Sequence, residues 1–358
     1  MRFNLLPLVL FSLSMAICAL QAQGQPTTRS AATQPIVVRH GLRLPDFQLH
    51  DPWILADEPS KTYYLYTSAS PRATGSNRFG AMAYKSKDLA TWDGPYVVFQ
   101  IPDGVWANPM HGAWAPEVHF YKGKYYLFIT LHNNDAIIAQ PPDVWKVNHK
   151  RGTTIAVADS PEGPFKLVKE DGPIPPADFM TLDGTFYVDP AGQPWMVYAH
   201  EWIQKIDGTM EAIKLKDDLS SSVGDPIFLF KASDAPWLNE QMTPSRKELN
   251  FVTDGPEMYR TKDGHLLMLW ASYDTKGYVE TLARSKSGKI EGPWEQLPPL
   301  VGNDSGHGML FHTFDGKLMM VLHHPFKAPA HGKIYEMEDA GDTLKVIRPM
   351  DDLNEKKQ

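Results

Sequence analysis

Residues 114–130 read WAPEVHFYKGKYYLFIT, two runs rich in aromatic and aliphatic residues joined by Lys122-Gly123-Lys124. A glycine in so short a break supplies the positive φ of a tight turn, so the stretch predicts two antiparallel strands. The same unit returns four more times. Pro59-Ser60-Lys61 stands before TYYLYTS, Ala191-Gly192-Gln193 before PWMVYAH, Asp263-Gly264 before HLLMLWAS and Asp315-Gly316 before KLMMVLHHP. Each of these turns also follows a strand: HDPWIL from His50, TLDGTFYV from Thr181, TDGPEMYR from Thr253 and GHGMLFHT from Gly306. A third, more polar segment comes after several turns. AYKSKDLATWDGPY, IAVADSPEGPFKLV and LARSKSGKIEGPWEQL are variants of one strand–loop–strand ending in Gly-Pro-aromatic, and IKLKDDLSSSVGDPIFLF is a looser version. The unit is thus about four strands in about 50 to 70 residues, the size of one propeller blade. Five units fill residues 46–350, so the expected fold is all-β, a five-bladed β-propeller with about four antiparallel strands per blade. A β-sandwich or jelly roll also has short strands and turns, but it lacks this repeated signature at this period.

The totals agree. A chain of 358 residues is long for an average domain and ordinary for one large all-β unit. Thirty prolines and 26 glycines, spread along the chain, suit many turns rather than a few long helices. Hydrophobic residues make up 42% and the mean hydropathy is -0.34, enough to bury a core in a water-soluble chain. The net charge of -7 argues against nucleic acid, which needs a clustered basic face, and leaves a neutral partner such as an oligo- or polysaccharide. At the N-terminus, Arg2, the apolar run from Leu5 to Leu20, and Ala22 or Gly24 read as a signal peptide over residues 1–23. The run is short for a membrane span and Gln21, Gln23 and Gln25 follow at once. Export to the periplasm or medium is therefore expected, with no membrane span after cleavage and a leader over 24–45. Cys18 would leave with the signal peptide, which excludes disulfides, thiol catalysis and cysteine-ligated metals. Residues 351–358, with Lys356-Lys357, are expected to fray.

In a propeller the first strand of each blade lines the central axis, so the residues that open those strands converge. Here they are unusually polar: His50 and Asp51, Trp114 and Glu117, Asp183, Asp254 and Glu257, and His307. Carboxylates meeting in one axial pocket repel one another and lose solvation, a cost seldom kept without a use. Hydrolysis of a glycosidic bond with inversion is such a use. One carboxylate activates water, a carboxylic acid protonates the leaving oxygen, and a third carboxylate raises the acid's pKa, with no cofactor required. The bland alternative, that each Asp merely caps a turn, suits one such residue better than three.

These residues resemble glycoside hydrolase family 43, the arabinofuranosidase, xylosidase and arabinanase group. The likeness rests on HDPWI at 50–54, WAPEVH at 114–119, LDGTFYVD at 182–189, TDGPEMYR at 253–260 and GHGMLF at 306–311, and spans nearly the whole mature chain. It implies a five-bladed propeller, single-displacement inversion, and arabinose- or xylose-containing plant polysaccharide fragments as substrates. Carried over by motif, Asp51 matches the general base and Asp183 the residue that tunes and orients the acid. Trp114 matches a wall residue near the substrate. His307 matches an axial histidine that in some members helps hold an ordered water or a metal, here an axial divalent ion such as calcium. The acid departs from the pattern. Where the family usually reads Glu-Gly-Pro, this chain has Asp254-Gly255-Pro256, with Glu257 as a rival. The parallel between Ala115-Pro116-Glu117 and Gly255-Pro256-Glu257 makes Glu257 the counterpart of Glu117. Residues three apart in a regular strand do not share a face, so Asp254 is the preferred acid.

Further along, Glu201 and Trp202 form a polar-aromatic cluster that could contact sugar, Trp by stacking and Glu by accepting from hydroxyls. Asp189 and Asp315 read as turn residues. His323 and His324 are adjacent on a strand, point to opposite faces and have no carboxylate nearby in sequence, which argues against joint metal binding. Loops 71–80 and 132–150 would shape the pocket, and a monomer is expected. Two rivals stand beside an exo-acting glycosidase. A phosphorylase would need a basic patch near the pocket, and the five motifs hold only Arg260, past its end. A catalytically silent carbohydrate-binding propeller would keep the pocket and lose the acid.

Overall fold

The computed structural model describes residues 36–139, 147–239 and 250–355. The expected signal peptide, Lys356-Lys357 and part of the 132–150 loop lie outside the described residues. Five antiparallel sheets follow one another along the chain, one for each repeat. Their inner strands are Trp53–Asp57, Ala113–Tyr121, Thr181–Val188, Asp254–Arg260 and Gly306–His312. Each pairs through the predicted turn with a second strand: Thr62–Ala69, Lys124–Ile137, Pro194–His200, Leu266–Asp274 and Leu318–His324. Two outer strands complete each blade. The Gly-Pro motifs lie in or just before the fourth strand of three blades, and Gly94-Pro95, Gly163-Pro164 and Gly292-Pro293 are all cis.

The unbroken apolar runs of the second strands have a simple cause. Successive strand residues point to opposite faces, and here both faces are covered by neighbouring blades. In HLLMLWAS, Leu266, Met268 and Trp270 pack with Trp195 and Val197 of the third blade, whereas Leu267 and Leu269 pack with Leu310, Met320 and Leu322 of the fifth. Trp195 and Val197 in turn alternate with Met196 and Tyr198, which join Tyr126 and Phe128 of the second blade. The ring closes in the same way. Met319 and Val321 of the fifth blade share one cluster with Tyr63 and Leu65 of the first.

Both ends of the propeller are more ordered than the sequence suggests. Within the expected leader, Arg39–Leu42 adds a fifth, outermost strand to the first blade. Leu44 and Leu49 are fully buried, and the Leu49 amide donates to the Ala330 carbonyl at 2.9 Å. At the other end the expected frayed tail forms a helical turn, Asp351–Asn354. Asn354 is buried and pairs with both backbone groups of Ile334, at 2.7 and 2.9 Å. Arg43 donates to the carbonyls of Asp352 and Glu355, which ties the two ends together.

One irregularity recurs near the start of every inner strand and builds the site. Asp51, Ala115, Asp183, Gly255 and His307 all have φ between 45° and 54°, the left-handed region. In the last four blades the pairing register slips at this residue, as in a β-bulge. The left-handed residue is therefore equivalent in the last four blades, and Asp51 takes the same conformation just before the inner strand of the first. At Gly255 a side chain has no room: a Cβ would lie 2.8 Å from the His307 ring.

Candidate active site

Three of the five left-handed positions carry polar side chains, and they meet. His307 Nδ1 lies 3.2 Å from Asp51 Oδ1 and 3.9 Å from Asp183 Oδ2. Asp254 joins from the residue before its bulge, with Oδ1 3.9 Å from the same nitrogen. Asp51, Asp183 and Asp254 all line a pocket of about 530 Å³ together with His50, Trp114, Arg151, Glu201, Trp202 and Phe326. Asp254 is thus not at the position of Asp51 and Asp183, as their shared motif places suggest, but one step earlier, level with His50, Trp114, Leu182 and Gly306.

The environments of the carboxylates push them apart. Burial alone would raise the Asp51 carboxyl, but the charges of His50 and His307 outweigh it and hold the group well below the usual carboxylate range. Asp51 is therefore ionised. Asp183 is the opposite case: burial, and next the Asp254 carboxylate, hold its carboxyl well above that range, so it keeps a proton that it shares by hydrogen bond with Asp254. The backbone holds Asp183 in place. Its amide donates to Thr130 Oγ1 at 2.8 Å and the Gly184 amide to Thr153 Oγ1 at 2.8 Å, both from the second blade.

His50 donates through both ring nitrogens, Nδ1 to Asp51 Oδ1 at 2.9 Å and Nε2 to the Phe326 carbonyl at 3.1 Å. Two acceptors call for an imidazolium. Burial would lower its pKa, but the Asp51 charge and these hydrogen bonds raise it to about 9. His323 stacks on it at 3.9 Å, accepts the Asp51 amide at 3.2 Å and is kept neutral by burial. The stabilisation from charging His50 is complete below the ordinary value of 6.5 and is lost as pH rises through about 9. Asp51, being depressed, contributes its share in full above the ordinary value of 3.8 and loses it as pH falls from there through its lowered value. Between pH 6.5 and 9 the melting temperature should fall by about 2 °C more in the natural protein than in His50→Gln. Equal slopes in thermal melts across that window would contradict the pairing.

Several sequence expectations are corrected. Glu257 does not line the pocket. Its Oε2 accepts the Leu310 amide of the next blade at 2.7 Å, and burial, with Glu117 nearby, holds the carboxyl well above its usual range. The bulge also puts Glu257 on the same strand face as Asp254, where a regular strand would oppose them. Asp254 pairs with Ala271 and Glu257 with Leu269, two residues apart on the second strand, so the extra residue cancels the change of face. What separates them is depth along the strand. Because Glu257 is neutral and accepts a hydrogen bond, Glu257→Gln should keep activity within about threefold and stability within about 1 kcal/mol. A larger loss of turnover in that variant would reinstate it as a reacting group.

Glu117 is likewise interior, with Oε2 2.9 Å from His119 Nε2. Glu201 does line the pocket, but Arg151 Nη1 donates to both of its oxygens, at 2.7 and 2.6 Å. Each oxygen thus spends one acceptor position on that pair. Arg151 also lies over the Trp114 ring at 4.8 Å, and His132 meets the same ring edge-on at 4.0 Å, so the half-exposed indole is fixed from two sides. Arg151 is a pocket cation that lies outside the five axial motifs. It comes from the third strand of the second blade, and its pairing with Glu201 makes it a poor phosphate site. His323, with no carboxylate nearby in sequence, meets one that is distant in sequence, Asp51. Asp189 behaves as a turn residue, accepting the amides of Ala191 and Gln193 at 2.9 and 3.0 Å.

Among the described residues, His50, Asp51 and His323, and separately Asp183, Asp254 and His307, are grouped closely enough to hold a metal ion. His307 Nδ1 is buried and aligned with no hydrogen-bond acceptor. An imidazole nitrogen beside carboxylate oxygens is a donor set that fits a divalent cation.

A propeller with an ionised and a protonated carboxyl facing one axial pocket belongs to the carboxylate-based class of sites that act on glycosidic bonds. Residues 45–338 match the model of glycosyl hydrolases family 43, and the chain belongs to that family. It is similar to an endo-arabinase from Bacteroides thetaiotaomicron VPI-5482, with 36% identity, 84% of this chain and 98% of that one covered, and a TM-score of 0.73. An α-L-arabinofuranosidase from Lactobacillus brevis shares the fold at 16% identity, covering 85% of this chain and 97% of that one with a TM-score of 0.62. An extracellular endo-α-(1→5)-L-arabinanase of Bacillus subtilis (strain 168) is 24% identical over 162 residues, which span 43% of this chain and 44% of that relative.

Proposed function

We propose that the protein is an inverting glycosidase that cleaves α-linked L-arabinofuranosyl residues in arabinan-type polysaccharide. The observation that carries this reading is the convergence of Asp51, Asp183 and Asp254 on one pocket around His307, and the environments that push Asp51 down and Asp183 up agree with it. Asp51, ionised, accepts a proton from water as its oxygen attacks the anomeric carbon. Asp254 gives a proton to the departing glycosidic oxygen, and Asp183 orients Asp254 and supplies the hydrogen bond through which that proton is held. Trp114 and Trp202 offer ring faces to the sugar. The chemistry needs no cofactor. A divalent ion such as calcium, were it held at the axis by His307, would supply positive charge there.

Arabinan is preferred over xylan because the 36% identical relative is an endo-arabinase and the Bacillus relative an arabinanase. Both names also favour internal cleavage over the release of single sugars. The Bacillus relative is extracellular, and none of the described helices is long and apolar enough to cross a membrane. The extracellular relative suits export by the N-terminal signal. The test is incubation with linear α-1,5-arabinan, xylan and arabinoxylan, with products followed by chromatography. Early release of arabino-oligosaccharides from arabinan alone is expected. Binding of arabinan with no product would favour the silent sugar-binding propeller instead.

A further inference from the structure

Asp254 is one methylene shorter than the glutamate usual at this place, so it reaches less far and must be aimed more exactly. The aiming group is on the third strand of the same blade, Gly277–Ser285. Tyr278 is fully buried there, and its hydroxyl donates to Asp254 Oδ2 at 2.5 Å. Its ring is fixed on several sides. It lies parallel to His323 with centroids 5.6 Å apart, and Phe326 and Tyr273 close in at 4.8 and 5.0 Å. Gly306 makes the room, since a Cβ there would fall 2.5 Å from Tyr278 Cε1. Burial, and then the Asp254 charge, push the phenol well above its usual pKa, so it remains a donor.

We propose that Tyr278 is a positioning residue for the reaction, its hydroxyl locking Asp254 Oδ2 so that Oδ1 is left to face the axis and the glycosidic oxygen. This rests on the reading of Asp254 as the acid. An aspartate has two side-chain torsions, and a hydrogen bond from a rigid partner removes the freedom that would turn the acid away from its target. The effect is confined to protonation of the leaving group, and binding of the glycone does not depend on it.

The test compares Tyr278→Phe with the natural enzyme on two substrates, a linear α-1,5-arabino-oligosaccharide and a nitrophenyl arabino-oligosaccharide of the same glycone length. The nitrophenolate leaves with little help from an acid. With the first substrate kcat should fall about 10- to 100-fold with KM within about twofold; with the second it should fall less than about threefold. A partly misfolded sample lowers both rates equally, so their ratio does not depend on the folded fraction. In an Asp254→Asn background, Tyr278→Phe should change the oligosaccharide rate by less than about twofold, because the two residues act through one group. An equal fall on both substrates, or a further fall in the Asp254→Asn background, would overturn the proposal. If Asp254→Asn alone keeps full activity on the oligosaccharide, the acid assignment itself fails and takes the Tyr278 role with it.

Discussion

Asp51→Asn should lower turnover of linear arabinan by about 10³- to 10⁴-fold while the protein stays folded. The loss follows from the position of the carboxylate. Asp51 is the ionised group of the pocket, kept so by His50 at 2.9 Å and His307 at 3.2 Å, and an amide cannot take a proton from attacking water. The fold should survive because asparagine accepts the left-handed φ of 48° as readily as aspartate does. It also keeps the backbone amide that donates to His323. A second readout separates lost chemistry from lost structure. Without the Asp51 charge, burial dominates at His50, and its pKa should drop from about 9 toward the ordinary range, visible in imidazole proton shifts across a pH titration. A variant with unchanged His50 titration and near-normal turnover would remove Asp51 from the mechanism.

Asp254→Asn has the second largest expected effect, and it depends on the substrate. A sugar alkoxide is a poor leaving group, so cleavage of arabinan should fall by about 10³-fold when the acid is lost. A nitrophenolate needs little protonation, and hydrolysis of an aryl glycoside should fall by less than about tenfold. The contrast with Glu257→Gln identifies the acid, since both variants replace a carboxyl by an amide in the same strand. One faces the pocket and the other accepts the Leu310 amide inside the fold. Steady-state rates on the two substrates suffice. Equal losses on both would place Asp254 in binding or folding rather than in proton donation.

Much of the fold is legible because the repeat is local. The turn around Gly123 and the run after it carry their own hairpin, and five copies leave few architectures open. Asp51, Asp183 and His307 are also readable, because strand-opening polar residues in a propeller have only the axis to face. What escapes the sequence is what depends on backbone irregularity or on distant partners. The left-handed residue at Gly255 adds one position to its strand, so alternation fails where it was needed to compare Asp254 with Glu257. Arg151 carries no signal in sequence, and Glu201, readable there only as a sugar contact, lies 50 positions away, so only the folded blades bring the two together. Glu117 and Glu257 look like site residues because they follow the motif, yet each ends beside an inward partner, His119 or the Leu310 amide. Tyr278 carries no signal at all, being one aromatic in a strand of buried residues.

Everything proposed for the chemistry depends on Asp51 delivering water directly to the anomeric carbon, on the side opposite the bond that Asp254 helps to break. Proton NMR of the first minutes of α-1,5-arabino-oligosaccharide hydrolysis reads this from the anomeric signals before mutarotation. The β-anomer of the new reducing end should appear first and the α-anomer only later. An α-anomer present from the outset would mean a covalent intermediate, and Asp51 would then be something other than the base.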